Sequence, residues 1–506
     1  MKRILLPLAA LMSLSFLHAE LWMPAIFSDH MVLQRDLANP VWGTTDPGQT
    51  VTVSIAGQRQ QTKADGEGNW RVQLMPLPAG GPHQLTVDAD EARVFEDVLV
   101  GEVWFCSGQS NMEWSVDRSN EAAIEILSAN YPEIRLISVP RIGTQEPQDD
   151  FEGQWEVCSP ETVVDFSAVG YFFGRRLHNT LGVPVGLVDL SWGGSAAEAW
   201  VPREVLENDP LYISYLAERA ALTDGYTDAV HAEKVAEWEL EVQAWEEAGR
   251  EGRGPRAPRD PRSDNKRPGN IFNGVVHPVL GYGLRGNIWY QGESNTGRDP
   301  QTYGQLFPLV IETLRERWGQ GDFPFYWVQL ADFREESPEP QDEQWTRLRE
   351  DQTMTLDVVS NGGQAVIIDV GEGRDIHPRD KHTVANRLAR IALARDYGYD
   401  IQYQSPRYES MQLEDGRVIV SLKHVSDQGL YAFDTETIEG VAVAGEDRVF
   451  HWAEAKIVGP NKDQLEVWSD AVPNPVAVRY AWAINPVVNL YDREGLPVTP
   501  FRSDDW

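Results

Sequence analysis

The sequence predicts an α/β protein, a doubly wound parallel sheet with flanking β-sandwich domains. Three observations carry this. The beginning and end of the chain show short strands of alternating polarity with Asp-Gly and Pro-Gly punctuation, the mark of small sandwiches. The middle alternates near-continuous apolar strands with amphipathic helices, as in a parallel sheet buried on both faces. The length, 506 residues, allows several domains with ample core.

In chain order, residues 1–19 read as an export signal. Lys2-Arg3 supply the positive start, residues 4–17 the apolar run, and Ala19 a cleavage edge before Glu20. Residues 20–100 form the first sandwich-like region, with strands expected at 50–55, 70–74 and 84–87 and a turn at 64–69. Residues 101–398 form the core. Its strands are expected at 103–106, 185–192, 286–290, 325–330 and 366–370, with helices at 169–181 and 303–318. An insertion at 203–268 holds an Ala-, Glu- and Lys-rich helix at 229–249. A Pro- and Arg-rich polar loop follows it, and together they read as surface decoration before they read as a lid. Residues 399–506 return to strand signals at 417–422, 438–443, 464–467 and 476–482. No tandem repeat is visible.

The net charge of −34 narrows the partners. Such a surface repels phosphate backbones and anionic lipid, so neither nucleic acid nor a membrane is expected as a partner once the leader is gone. The expected location is periplasmic or secreted. Oligomeric state leaves no sequence signal. Cys106 and Cys158 are the two cysteines. An even pair in an exported chain can form a disulfide, but Cys106 ends an apolar strand and reads better as a small buried hydrophobe. No His/Cys cluster has zinc spacing and no Gly-rich phosphate loop occurs, so no metal or cofactor is expected.

The chemistry lies at the strand ends. After 103–106 comes Ser107-Gly108-Gln109-Ser110-Asn111. After 185–192 comes Gly193-Gly194-Ser195. After 286–290 comes Gln291-Gly292-Glu293-Ser294-Asn295, and after 366–370 comes a loop holding Glu372, Asp375 and His377. In a parallel sheet these loops share one edge, where such folds bind ligands. They hold the parts of a Ser-His-acid hydrolase. A serine hydroxyl needs a base in hydrogen-bond reach, and a carboxylate fixes the tautomer of that base. A developing oxyanion needs preorganised donors. The amides of Ser110 and Gly194 are candidates, with a carboxamide from Gln291 or Asn295. The arrangement is not the α/β-hydrolase elbow, which needs Gly where Met112 stands.

Plainer readings compete. Ser110 can be a helix-capping turn serine, Asp375 a carboxylate at a helix start, and Gly193-Gly194 a tight turn. His30, His277 and His382 compete with His377. Trp192, Trp289 and Tyr290 read as core, Trp114 as a platform for a sugar, and Arg349-Glu350 as a structural ion pair.

The motifs GEVWFCSGQSNMEW, SWGGSAAEAW, IWYQGESN and DIHPRDK, with FSDHMVLQR, FSAVGYFFGRRL and GLPVTPFRSD, span nearly the whole chain after the leader. Together they resemble the sialate O-acetylesterase family, a branch of the SGNH, or GDSL-like, serine esterases. The resemblance implies an SGNH-type core and hydrolysis of O-acetyl esters on carbohydrate without metal or cofactor. It implies Ser110 as nucleophile and His377 as base, with Gly194 and the Gln291–Asn295 loop as oxyanion donors. Many SGNH enzymes carry the acid three residues before the His. Arg374 stands there, so Asp375 is the first choice for the acid, with Glu293 and Glu372 behind it. The family name points to O-acetylated sialic acid, and related bacterial enzymes point to acetylated cell-wall polysaccharide such as xyloglucan or xylan. The rivals are a non-catalytic carbohydrate-binding protein and a peptidase using the same triad.

Overall fold

The longest strand, Ala92–Gly108, ties two regions of the molecule together. In the computed structural model, which describes residues 20–297 and 300–506, its first part is largely exposed and everything from Val98 onward is buried. The expected leader, residues 1–19, lies outside the described residues. The first part pairs antiparallel with Gly80–Asp88 in the N-terminal sheet. The second part is a central strand of the parallel sheet. One strand thus runs through Gly101 and joins the two regions without a linker.

The sheet order is Gly362–Ala365, Phe325–Val328, Gly286–Tyr290, Ala92–Gly108, Val185–Asp189, Tyr131–Ser138, Glu156–Cys158. Every pairing is parallel except the last. Side chains alternate across it as the pleat dictates. Val103 and Phe105 join one core with helices Pro300–Trp318 and Gln344–Val358. Trp104 and Cys106 join the other with helices Ala168–Leu181 and Lys381–Arg395. Burial on both faces is why these strands read as continuous apolar runs.

The strand expected at 366–370 is instead Gly362–Ala365. Two glycines hide it from a search for apolar runs. They are needed because a side chain at Gly363 would stand 2.6 Å from Ile391 and one at Gly362 would stand 2.9 Å from Trp327. The insertion helix is Asp228–Glu247 and buries no residue.

Two four-stranded antiparallel sheets and a two-stranded one, Leu430–Ala432 with Leu490–Asp492, form the C-terminal region. Val418, Val420, Leu465 and Val467 of one four-stranded sheet pack with Val443, Val478 and Tyr480 of the other. The N-terminal region pairs Asn39–Thr44 with Asn69–Leu74 beside a sheet built on Thr50–Ile55. The architecture is mixed α/β, with one large mixed sheet and small antiparallel sheets.

Polar groups fasten the regions. Glu102, fully buried, accepts from Arg35, from Arg285 at 2.9 Å and from Gln34 at 3.2 Å. Arg349, also fully buried, donates to the carbonyls of Leu330, Ala331, Ala483 and Ile484. The expected Arg349-Glu350 pair does not form, because helix neighbours point about 100° apart. Glu350 binds Arg502 at 2.8 Å instead. Cys106 and Cys158 are free and buried, not bonded. Burial pushes the Cys106 thiol up and takes Cys158 to about 12. Among the described residues no helix is long and apolar enough to cross a membrane.

Candidate active site

The central strand ends at Gly108, whose φ of 130° favours glycine. A Cβ there would stand 2.3 Å from the Tyr290 carbonyl oxygen. Gln109 follows in extended backbone. Its amide donates to Tyr290 O at 2.9 Å. Its side-chain oxygen accepts from the amides of Gly292 and Ser294 at 3.3 and 3.1 Å. The turn is thus clamped to the neighbouring strand's loop before the short helix Ser110–Glu113 begins.

Ser110 Oγ lies 2.9 Å from His377 Nε2. His377 Nδ1 lies 3.1 Å from Asp375 Oδ1, and the same oxygen accepts the His377 backbone N–H at 2.9 Å. A carboxylate can only accept, so Nδ1 carries the proton and Nε2 keeps its lone pair for the serine hydroxyl. Trp114 stacks on the imidazole with ring centroids 4.9 Å apart and planes at 17°. The Arg118 guanidinium lies 3.8 Å from the same indole centroid. Trp114 is 8% exposed, so it covers the imidazole and is not the open sugar platform expected. Burial holds the His377 pKa below its ordinary value. Lys381 and Arg118 push the same way, and Asp375 opposes.

The other candidate acids and histidines have other partners. Glu372 is paired with Arg379 at 2.9 Å. Glu293 is turned inward to Asn111. His30 pairs with Asp97 at 2.7 Å, His277 contacts the Gln148 carbonyl at 2.8 Å, and His382 contacts Glu125 at 2.8 Å.

The Gly193-Gly194 loop runs beside the serine, since a Cβ on Gly193 would stand 3.5 Å from Ser110 Cβ. Glu113 accepts the Gly193 amide and pairs with Arg141 at 3.1 Å. Asn265 Nδ2 donates to the Gly193 carbonyl at 2.6 Å. Gly194 takes φ 73°, which favours glycine. Among the described residues, neither the Ser110 nor the Gly194 amide donates to a protein acceptor. The two carboxamides are differently placed. Gln291 Nε2 donates to Ser195 O at 3.2 Å and Asn295 Oδ1 at 2.7 Å, which uses both its hydrogens. Asn295 Nδ2 donates to Glu198 at 3.1 Å, and its oxygen also accepts the Ala197 amide at 3.1 Å. They fasten two active-edge loops together.

Sequence reasoning passed over Lys381. It is fully buried, with Nζ 2.6 Å from Asn111 Oδ1. A signal existed: positions 381, 384, 385 and 388 trace one helix face, and Val384, Ala385 and Leu388 are apolar. A lysine on that stripe is an exception that asks for a partner. Among the described residues no His, Cys, Asp and Glu cluster has the make-up of a metal site.

The chain is similar to known carbohydrate esterases. A family model described as a carbohydrate esterase, sialic acid-specific acetylesterase, matches residues 274–373. A sialate O-acetylesterase of Mus musculus is 31% identical over 500 residues, covering 90% of this chain and 88% of that protein. The Homo sapiens sialate O-acetylesterase is 30% identical over 521 residues, covering 94% and 91%. The crystal structure of a carbohydrate acetylesterase from Xanthomonas citri matches with a TM-score of 0.81 at 34% identity, covering 96% of this chain and 100% of that one.

Proposed function

This chain belongs to the sialate O-acetylesterase family and is an esterase; within it we propose an SGNH-type core in which Ser110, His377 and Asp375 remove acetyl groups from carbohydrate hydroxyls. The observation that carries this reading is the 2.9 Å contact between Ser110 Oγ and an imidazole whose other nitrogen faces Asp375. His377 takes the serine proton as Oγ attacks the acetyl carbonyl. The carbonyl oxygen becomes an oxyanion, held by the free amides of Ser110 and Gly194. His377 then protonates the departing sugar oxygen. Water, deprotonated by the same imidazole, attacks the acyl-serine and releases acetate, and the proton returns to Ser110. Asp375 holds the tautomer throughout and stabilises the imidazolium.

The substrate is an O-acetylated carbohydrate, either O-acetyl sialic acid or an acetylated cell-wall polysaccharide such as xyloglucan or xylan. The names of the mouse and human relatives favour the first. The exported bacterial-style leader and two flanking β-domains favour the second. Residues 1–19 support export to the periplasm or beyond.

The test is acetate release from an aryl acetate, with Ser110→Ala beside the wild type. Loss of nearly all turnover in the folded variant is expected. Equal rates in both would remove Ser110 from the mechanism. A panel of acetylated sialoglycan, xyloglucan and xylan then decides the substrate. Release from sialoglycan alone would end the cell-wall reading.

A further inference from the structure

A second polar cluster lies directly behind the Ser110–His377 pair. Lys381 Nζ donates to Asn111 Oδ1 at 2.6 Å. Asn111 Nδ2 donates at 2.5 Å to Glu293 Oε1 and at 3.0 Å to the Ile376 carbonyl. Asn111 is buried, and the carboxylate of Glu293 is turned inward with its second oxygen unpartnered among the described residues. The ammonium also lies 5.3 Å from the Tyr290 ring centroid and 5.7 Å from that of Trp114. Asn111 is therefore an amide bridge between a buried cation and a buried anion. Its oxygen, the negative end of its dipole, meets the ammonium. Its N–H groups meet the carboxylate and the backbone. This orients the amide uniquely.

The bridge touches both reacting residues through the chain. Asn111 follows Ser110, and Ile376 precedes His377. We infer that Lys381, acting through Asn111 and Glu293, is a positioning residue that holds the Ser110 turn and the His377 loop in register for proton transfer. This rests on the serine-esterase reading above. Replacing Lys381 frees the amide to rotate and leaves Glu293 a buried charge without its cation, a costly state. It also removes a positive charge from behind the base.

The charged groups facing His377 are Asp375 from its own loop, Lys381 from the helix behind and Arg118 from the turn after Trp114. Those facing Lys381 are Glu293, Asp375, Glu372 and Asp380. Burial drives Lys381 down and Glu293 up from their ordinary values. Each one's charge favours the ionised form of the other. Lys381 in turn depresses His377. Loss of the cation must therefore raise the His377 pKa, and the acid limb of kcat/KM must move to higher pH.

The experiment uses the full chain and an aryl acetate, with pH profiles and thermal melts. Lys381→Met/Glu293→Gln removes both buried charges together, so no lone ion remains. A cooperative melt is expected, with kcat lower by about 10- to 100-fold as expected for a misplaced pair. KM should stay within about twofold, because a generic ester makes few binding contacts, and the acid limb should move up. Glu293→Gln alone keeps the shape and the acceptor for Asn111 while removing the charge that holds Lys381 protonated. It should fold and shift the limb the same way. Unchanged kcat, or a lower kcat with the limb unmoved in both variants, overturns the inference. Retained turnover in Ser110→Ala would sink the Ser110–His377 mechanism and this inference with it. Loss in Ser110→Ala beside unaltered Lys381 and Glu293 variants sinks this inference alone.

Discussion

Asp375→Asn separates the charge of the acid from its position. Asp375 Oδ1 accepts both the His377 backbone N–H, at 2.9 Å, and Nδ1–H, at 3.1 Å. An asparagine oxygen can accept both, so the turn and the tautomer survive. What disappears is the negative charge opposite the imidazolium that forms in the transition state. The Asp375 side chain is 53% exposed, so water screens that charge. Coulomb's law at this separation with an effective dielectric constant between about 40 and 80 leaves about 1.3–2.7 kcal/mol. That corresponds to a loss of about 10- to 100-fold in kcat/KM. It is smaller than the roughly 10⁴-fold known for buried acids of this kind. The pH dependence supplies a second reading. His377 must be neutral to act, so activity falls as pH drops through its pKa. Asp375 raises that pKa, and the asparagine variant should move the acid limb to lower pH even as the plateau falls. Aryl acetate turnover across pH, with a melt for each protein, reads both. A plateau within about threefold of wild type and an unmoved limb would remove Asp375 from the triad.

Trp114→Ala should move the same limb the other way. The indole shields His377, burial is the first cause of its depressed pKa, and water admitted there favours the imidazolium; an unmoved limb in a folded variant would refute this. Arg349→Met removes a donor shared by four buried carbonyls and leaves those of Leu330 and Ala483 without one among the described residues, while Ala331 keeps Trp345 Nε1 and Ile484 keeps the Phe333 amide. It should lower unfolding stability by on the order of 3–5 kcal/mol, read as a lower denaturation midpoint in urea; a change under about 1 kcal/mol would refute the bracing role.

Much of the site is legible in the sequence because a parallel sheet collects the loops that follow its strands. Ser110 lies far along the chain from Asp375 and His377, yet it follows an apolar run and they share one short motif. What stayed hidden has a physical cause in each case. Gly362–Ala365 lacks an apolar run because Trp327 and Ile391 fill the space its side chains would need. Trp114 read as a sugar platform because sequence cannot show that an imidazole and a guanidinium already occupy it. Gln291 and Asn295 read as free donors because their partners, Ser195 and Glu198, come from a loop about a hundred residues earlier. Arg349 and Glu350 are adjacent in sequence, and adjacency on a helix is separation in space.

In the proposed mechanism the C-terminal sheets help to hold the loop that carries His377. Arg349 holds the carbonyls of Leu330 and Ala331 against those of Ala483 and Ile484. Phe333 donates its amide to Ile484 O at 3.2 Å, and Asn485 donates to Arg334 O at 2.6 Å. Asp332 in the same segment accepts the Gly371 amide at 2.6 Å. Gly373 packs so closely on the Arg334 carbonyl that a Cβ would stand 2.6 Å from it. Gly371 and Gly373 open the loop that carries Asp375 and His377. From the other side Asn111, itself held by Lys381, donates to the Ile376 carbonyl. The loop is thus gripped by the C-terminal region at its start and by the buried amide bridge at its end. An exposed loop held at both ends can keep an imidazole at 2.9 Å from a serine hydroxyl while leaving Asp375 half in water. On this argument a core cut at residue 398 would lose the first grip, and its kcat should fall even where its sheet still folds.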